Sequence, residues 1–533
     1  MRISPVYLAL AAGLLAVLFR AWLLMRHPFD GLYGQDAYFY LTATRDLVKA
    51  WTDPARLSSW LTTWGTPPTS IWPLGYHIQV MLVALFTGLN ASAGQALSLG
   101  AGVLTSALCP LISIEAWRQA SHETAGAPLP AYVAVGALLS GLIMAASGLA
   151  VNSSVVMMAD MPSVAWATLG VYLALLYVGR DGNSTRLGIL AGLCFGVASV
   201  TRYIYPLLLV PVLAYALLAM RVADVRSARS TARSLFPLVA PSIALVSLQL
   251  LHNLIHPMAS IASPVITNWN PLNLPGTHFT GPDGQLTYTH SMASFFFIRP
   301  LVTYDAIGPL LVIFLTIGVI WLAASRAIAV FGLLVGWWLL FAVFYSGSIY
   351  QADRFIISYL PALAVLCGLG ATTVLWVASS MARVNLAFAA YAGVALVGMV
   401  SGAGLLLSAR EANAAVRNLA AGKQDYLAAS GCVRSLVGQT SRTPVFSFGV
   451  TFTLSEYTAT NPRELYLETP QSVDAAVKSS EGPVRGYLIL PLDRFEAQWG
   501  ATPMGATYHH LQSAYRLLPL ACPGTSLSLF EIR

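Results

Sequence analysis

Ile71-Trp72-Pro73-Leu74-Gly75-Tyr76-His77-Ile78-Gln79-Val80-Met81-Leu82-Val83-Ala84-Leu85-Phe86-Thr87-Gly88-Leu89 is the stretch on which the fold turns. It is almost long and apolar enough to cross a bilayer, which takes about 20 residues. Yet it opens on a proline and a glycine and carries His77, Gln79 and Thr87. Whether it crosses decides on which face of the membrane the segments before it lie relative to those after it.

That a membrane is involved follows from composition. Of 533 residues, 56% are hydrophobic and 10% charged, with mean hydropathy +0.67. A soluble protein of this balance would expose far too much apolar surface. The net charge of +7 comes from 26 arginines and three lysines, Lys49, Lys423 and Lys478. They form no basic tract, so the charge reads as membrane topology and not as nucleic-acid binding. The Arg and Ala bias fits a GC-rich bacterial genome. Met1 to Met25 reads as a retained first span, because no small-x-small cleavage site ends it.

Further apolar runs lie near 95–117, 130–150, 162–179, 203–220, 235–255, 303–323, 328–345, 355–378 and 385–407, with a shorter one at 187–201. Arg118, Arg180/Arg186, Arg221/Arg226/Arg229/Arg233, Arg326 and Arg383 should all face the cytoplasm. They do so together with Arg2 only if 71–89 fails to cross. It is therefore read as a re-entrant or juxtamembrane helix, leaving about eleven transmembrane helices. This count puts the loops 26–94, 151–161 and 256–302 outside, with everything after about 408. Gly188, Gly192 and Gly196 form a small-residue stripe that serves helix packing.

From about Ala409 the chain turns polar. It alternates β-type runs (444–448, 486–490 and 526–530) with helical stretches such as 411–429. The expected organisation is an all-α polytopic membrane domain, 1–408, followed by a small extracytoplasmic α/β domain, 409–533. Cys109, Cys194 and Cys367 fall in spans and read as packing residues. Cys432 and Cys522 both lie in the tail, where an oxidising compartment permits a disulfide between them.

Two acids border the apolar segments: Asp36 in Gly34-Gln35-Asp36-Ala37-Tyr38-Phe39-Tyr40, and Asp160 in Met157-Met158-Ala159-Asp160-Met161-Pro162. A carboxylate at such a depth is costly, hence a functional candidate. By the parity above both are on the external side. Each also precedes a helix, so helix capping alone is the bland alternative. After Asp36, the positions of Tyr38, Leu41, Ala43, Leu47 and Ala50 suit an amphipathic helix in the membrane plane. An ionised Asp36 there can accept a proton from an alcohol. A divalent metal such as Mg or Mn between Asp36 and Asp160 stays open, although hard cations want more oxygen ligands than two acids supply.

A phosphate-bearing lipid would need cations near the outer interface. Arg202, Arg299 and Arg354 open or close helices there, although each alone reads as a snorkelling side chain. His252 and His256 stand one helical turn apart, without a third metal ligand in view. No P-loop, HExxH or Gly-x-Ser-x-Gly occurs, so ATP-driven work is not indicated.

The motifs, in order, are Gly34-x-Asp36-x-Tyr38-x-Tyr40, then Pro73-Leu74-Gly75-Tyr76, then Met158-x-Asp160-x-Pro162. Gly192-Leu193-x-x-Gly196-x-x-x-x-Thr201-Arg202 and Asp353-Arg354-Phe355-x-x-x-x-Leu360-Pro361 follow. Over about residues 1–380 this series resembles the GT-C superfamily of lipid-phosphosugar-dependent glycosyltransferases. The branch it looks most like is that of the protein O-mannosyltransferases and lipid A aminoarabinose transferases.

The resemblance implies transfer of a sugar from a polyprenyl-phosphate donor to a cell-envelope acceptor, lipid, glycan or protein, at the external face of the bacterial inner membrane. Asp36 would be the base and Asp160 the second acid near the acceptor. Arg202 and Arg354 would bind the donor phosphate, and Tyr38, Tyr40 and Tyr76 would contact acceptor or lipid. The chain departs from the family pattern in having Ala37 where some members have Glu, and Ile71-Trp72 where they have Lys. A phosphate contact could therefore fall to Arg299 or His77. The rival reading, a lipid or glycan transporter, predicts duplicated halves with broken helices at matching places, and the sequence shows no duplication.

Overall fold

The computed structural model describes residues 4–53, 72–122, 128–179, 184–223, 228–255, 268–383, 386–437, 443–480 and 483–533. His256 lies outside them. Seven helices are long and apolar enough to span a bilayer: Pro5–Arg26, Ala91–Ala120, Asp160–Val178, Arg233–Leu254, Ile328–Ser346, Leu360–Ala382 and the span-length part of Phe388–Val437. An eighth candidate is the bent pair Ala131–Ala146 and Gly148–Val155. Shorter apolar helices run over Leu74–Thr87, Thr185–Thr201, Tyr205–Ala219 and Pro309–Ala324. A count of eleven takes the last three of these as crossing and Leu74–Thr87 as not. At 14 residues, that helix is about 21 Å long against a hydrocarbon layer of about 30 Å.

The bend at Ser147 has a local cause. Ser147 takes an extended backbone (φ −56°, ψ 129°) and its Oγ accepts from Ala150 N, so one helix ends and another begins. Leu149 N, which would have bonded the Ala145 carbonyl, donates instead to the Asp305 carbonyl at 2.8 Å. Gly148 permits this approach, since a Cβ there would lie 3.2 Å from Asp305 Cα. Carbonyls left over inside an apolar layer must find donors. Arg20, in the first helix and only 1% exposed, provides them. Its Nη1 donates to the Ala145 carbonyl at 3.3 Å, and its Nη2 to the Met144 carbonyl at 3.5 Å and to Ser154 Oγ at 3.3 Å.

The last membrane helix, Ala387–Val437, is 51 residues long. The span expected at 385–407 and the helix expected at 411–429 are one continuous helix that passes residue 408 without a break. No proline falls between Pro361 and Pro444, and Ala-rich sequence carries the helix on. Its far end packs Ala429, Val433 and Val437 beneath a five-stranded sheet, against Val445, Tyr487, Ile489 and Leu529.

In that sheet Val445–Ser447 is parallel to both Arg463–Glu464 and Gly486–Leu490. Ser528–Ile532 then runs antiparallel to Gly486–Leu490 and to Leu517–Leu520. Helices Pro470–Lys478, Leu492–Trp499 and Pro503–Ala514 surround a second small core around Phe446, Leu488 and Phe495. Cys432 and Cys522 are joined, with Cα atoms 6.0 Å apart. They tie the long helix to the C-terminal strands.

Arg20→Leu is expected to destabilise the detergent-solubilised protein by roughly 2–4 kcal/mol, the loss of two or more charge-assisted bonds. Thermal unfolding measures it, with Arg20→Lys expected to fall between Arg20→Leu and wild type.

Candidate active site

Helix Gly34–Thr52 buries Ala37, Tyr38, Tyr40, Leu41, Ala43, Thr44 and Leu47. It is amphipathic, as the apolar spacing predicts. Its N-cap is Tyr33 with no side-chain cap bond, and the N-cap of Asp160–Val178 is Ala159, again without one. Asp36 and Asp160 therefore do not cap their helices. Both sit in the first turn, where the helix dipole favours a carboxylate, and both side chains turn to arginines.

Arg354 Nη1 lies 2.5 Å from Asp36 Oδ2, a pair that remains about one-third exposed. Arg202 Nη1 pairs with Asp160 Oδ1, and here Asp160 is 3% exposed. The second oxygen of Asp160, Oδ2, is buried and has no hydrogen-bond partner among the described residues. Such an orphan acceptor costs about 1–3 kcal/mol, and it is the kind of group a substrate hydroxyl would satisfy.

The two pairs meet around one ring. The guanidinium carbons of Arg202 and Arg354 lie 5.5 Å and 5.8 Å from the centroid of Phe355, within cation–π range. Tyr345 stacks on that ring at 4.6 Å. Tyr40, fully buried, lies within electrostatic reach of Arg202, Asp36 and Arg354. Burial pushes its hydroxyl well above the ordinary phenol range, so it stays protonated as a donor. For Arg354 burial opposes the charge, but Asp36 outweighs it and raises the pKa above the ordinary value.

The sequence elements explain this meeting. Arg202 is the residue that ends helix Thr185–Thr201 (φ −152°, ψ 122°). Gly75 abuts that helix end directly, since a Cβ would lie 2.5 Å from the Val200 carbonyl oxygen. Gln79 donates to Thr201 Oγ1 at 2.8 Å and accepts from Trp166 Nε1 at 2.8 Å. The polar residues of 71–89 thus bind it to the helices that carry Asp160 and Arg202.

Of the remaining expected residues, Arg299, Tyr76 and His77 border this centre and Tyr38 does not. Arg299 bridges Asp305 at 2.7 Å and Asp353 at 2.6 Å, next in sequence to Arg354. Tyr76 packs edge-on against Tyr40 at 4.8 Å. His77 is wholly buried, its Nδ1 2.7 Å from Thr44 Oγ1. Tyr38 points the other way, its hydroxyl 2.9 Å from Lys423 Nζ.

Lys423 is a feature the sequence reading passed over. It is 5% exposed, and its Nζ contacts Asp30 at 2.9 Å and Tyr457 Oη at 2.5 Å. Gly422 beside it leaves room for Tyr33, whose ring would lie 2.4 Å from a Cβ. Arg45 pairs with Glu456 at 2.5 Å, and Gln35 Nε2 donates to Glu464 Oε2 at 2.5 Å. The helix carrying Asp36 is therefore fastened along one side to the C-terminal domain. The available signal was that Lys423 is one of three lysines in an arginine-rich chain.

The divalent cation left open between Asp36 and Asp160 would find these two donors already engaged. Each carboxylate already faces a guanidinium, and among the described residues no three His, Cys, Asp or Glu side chains converge. A hard cation wants six or more oxygens, so water or substrate oxygens would have to complete such a site.

No family model matches the chain, and no curated protein matches it. Among solved structures, ArnT from Cupriavidus metallidurans bound to undecaprenyl phosphate aligns with TM-score 0.54 over 97% of each chain, at 15% identity. The chain has the fold of ArnT. The apo state of ArnT aligns at TM-score 0.53 and 14% identity, again over 97% of each chain. This architecture, many membrane helices with a small C-terminal domain, is the one the motif series implies. The chain is a multi-pass membrane protein.

Glu464 yields a pH test. Burial raises its carboxyl above the ordinary 4.5, against the bonds from Thr451 and Gln35. A raised folded pKa means the folded state binds the extra proton. Stability is then greatest at low pH and falls as pH rises from 4.5 through the raised value. Glu464→Gln is expected to flatten that fall and raise the neutral-pH melting temperature, as read from unfolding curves across pH. Lys423→Met is expected to speed amide exchange in 34–40 and 451–457 by about tenfold, a loss of ~1.4 kcal/mol in local opening.

Proposed function

We propose that the protein is a membrane glycosyltransferase that moves a sugar from a polyprenyl-phosphate donor to a cell-envelope acceptor on the extracytoplasmic side, with inversion. The observation that carries this reading is the convergence of Asp36–Arg354 and Asp160–Arg202 around Phe355 and Tyr40. The ArnT fold supports it, since one of the ArnT structures is bound to undecaprenyl phosphate.

Two carboxylates and two guanidiniums at a lipid boundary suit a substrate that carries both a hydroxyl and a phosphate. Asp36 and Arg354 neutralise each other in their pair. A donor phosphate would compete with Asp36 for Arg354, a bidentate cation suited to phosphate. Its arrival would release Asp36 as a free carboxylate beside the acceptor. Asp36 then takes the proton of the acceptor hydroxyl as that oxygen bonds the anomeric carbon. The bond from that carbon to the phosphate oxygen breaks, and its electron pair leaves on the lipid phosphate, held by Arg354 and Arg202. One displacement inverts the configuration. Asp160 Oδ2 offers its vacant acceptor to a second hydroxyl and so orients the acceptor or the sugar. Arg299, bound to Asp353, supports the position of Arg354, and His77 lies too deep for the phosphate.

Asp36→Asn is expected to lower transfer from a labelled polyprenyl-phosphate sugar by about 10²–10⁴-fold, the range for loss of a general base. Asp160→Asn should lower it less and chiefly through acceptor KM. The assay uses membranes supplied with labelled donor. Full transfer by both variants would sink the proposal, as would an unchanged set of envelope lipids, polysaccharides and proteins in a deletion strain.

A further inference from the structure

Away from the two ion pairs, the segment 268–287 builds a second concave site. Residues 268–273 and the strand His278–Gly281 line, with Ile349, an open depression of about 420 Å³. That is the size of a small-ligand site. Its walls present Asn268, Asn270, Asn273, His278 and Thr280 beside Trp269 and Phe279. No carboxylate, ammonium or guanidinium is among the lining residues, so nothing there matches a phosphate or a charged lipid headgroup.

The polar groups are held in place before any ligand arrives. Asn270 Oδ1 accepts from Leu272 N at 2.9 Å, which leaves its Nδ2 to donate. Asn273 is fixed in the opposite sense. Its Nδ2 donates to the Asn268 carbonyl at 2.9 Å and the Gly347 carbonyl at 2.8 Å, which leaves its Oδ1 to accept. His278 Nδ1 is 3.2 Å from Thr287 Oγ1, which orients the ring and leaves Nε2.

Trp269 donates Nε1 to the Phe344 carbonyl at 2.8 Å, yet 38% of the residue stays exposed. Its ring rests on Gly347, where a Cβ would lie 2.3 Å from Nε1. A fixed amide donor, a fixed amide acceptor and an immobilised, partly exposed indole suit a ligand with adjacent hydroxyls and one C–H face. Preorganisation of this kind lowers the cost of binding.

We propose that this cavity binds a neutral sugar residue, one unit of a glycan whose reacting end lies at Asp36. The binding half stands on the cavity alone; only the second half rests on the glycosyltransferase reading. Ile349 in the cavity wall is five residues from Arg354, so their Cα atoms are at most about 18 Å apart. A glycan of a few units can span any distance up to that bound.

The test is saturation-transfer NMR on the full chain in a sugar-free detergent, because maltoside detergents would compete. The probes are the methyl glycosides of glucose, galactose and mannose, maltotriose, and glucose 6-phosphate. At least one neutral probe should show saturation, and glucose 6-phosphate should show less. Trp269→Ala and His278→Ala should each weaken the signal by about tenfold, the size of one aromatic or hydrogen-bond contact. His278 lies on an exposed hairpin edge, so its replacement tests the site without threatening the fold. Asp36→Asn should leave probe binding unchanged while abolishing transfer, which separates this site from the reacting one. The proposal is overturned if no neutral probe saturates, or if saturation survives both cavity substitutions.

Discussion

A carboxylate at the edge of a hydrocarbon layer persists only with a positive group against it, and the rest of this structure is arranged to meet that condition. Asp36 and Arg354 are 318 residues apart in sequence, and Asp160 and Arg202 are 42 apart. Each pair thus fastens distant helices, and the shared ring of Phe355 fastens the pairs to each other. The four charges sum to zero, which limits the cost of holding them together at the edge of an apolar layer.

The same logic recurs deeper and higher in the molecule. Arg20 stands against the carbonyls freed at Ser147 and so supports Gly148–Val155, the short helix that leads to the loop of Asp160. Lys423 stands against Asp30 and two tyrosines, securing the helix of Asp36 to the C-terminal domain. Both aspartates are therefore positioned by a buried cation at one remove, neither of which touches the centre itself.

Much of this was legible in the sequence. Hydropathy located the membrane helices to within a few residues, because a span must be apolar along its whole length. The polar interruptions of 71–89 singled it out, and the structure uses Gly75 and Gln79 for packing. Asp36, Asp160, Arg202 and Arg354 stood out because charge is scarce around them. Their pairing was not legible, since which arginine meets which acid depends on helix packing over hundreds of residues. Capping is equally natural for both acids in the sequence; the N-caps are instead Tyr33 and Ala159. The change to polar composition at Ala409 marked a new environment, but the helix runs through it, because composition reports solvent and says little about backbone continuity. The roles of Lys423 and Arg20 were not legible, because their partners are mostly carbonyls and hydroxyls, which carry no sequence signature.

The 51-residue helix Ala387–Val437 has one more consequence. A rod of that length, about 77 Å, acts as a lever: a tilt of about 5° at its membrane end would carry the other end about 7 Å sideways. Helices adjust their tilt to the thickness of the bilayer around them. Because Lys423 rides on this rod and contacts Asp30 and Tyr38, any such tilt would be passed to the segment that carries Asp36.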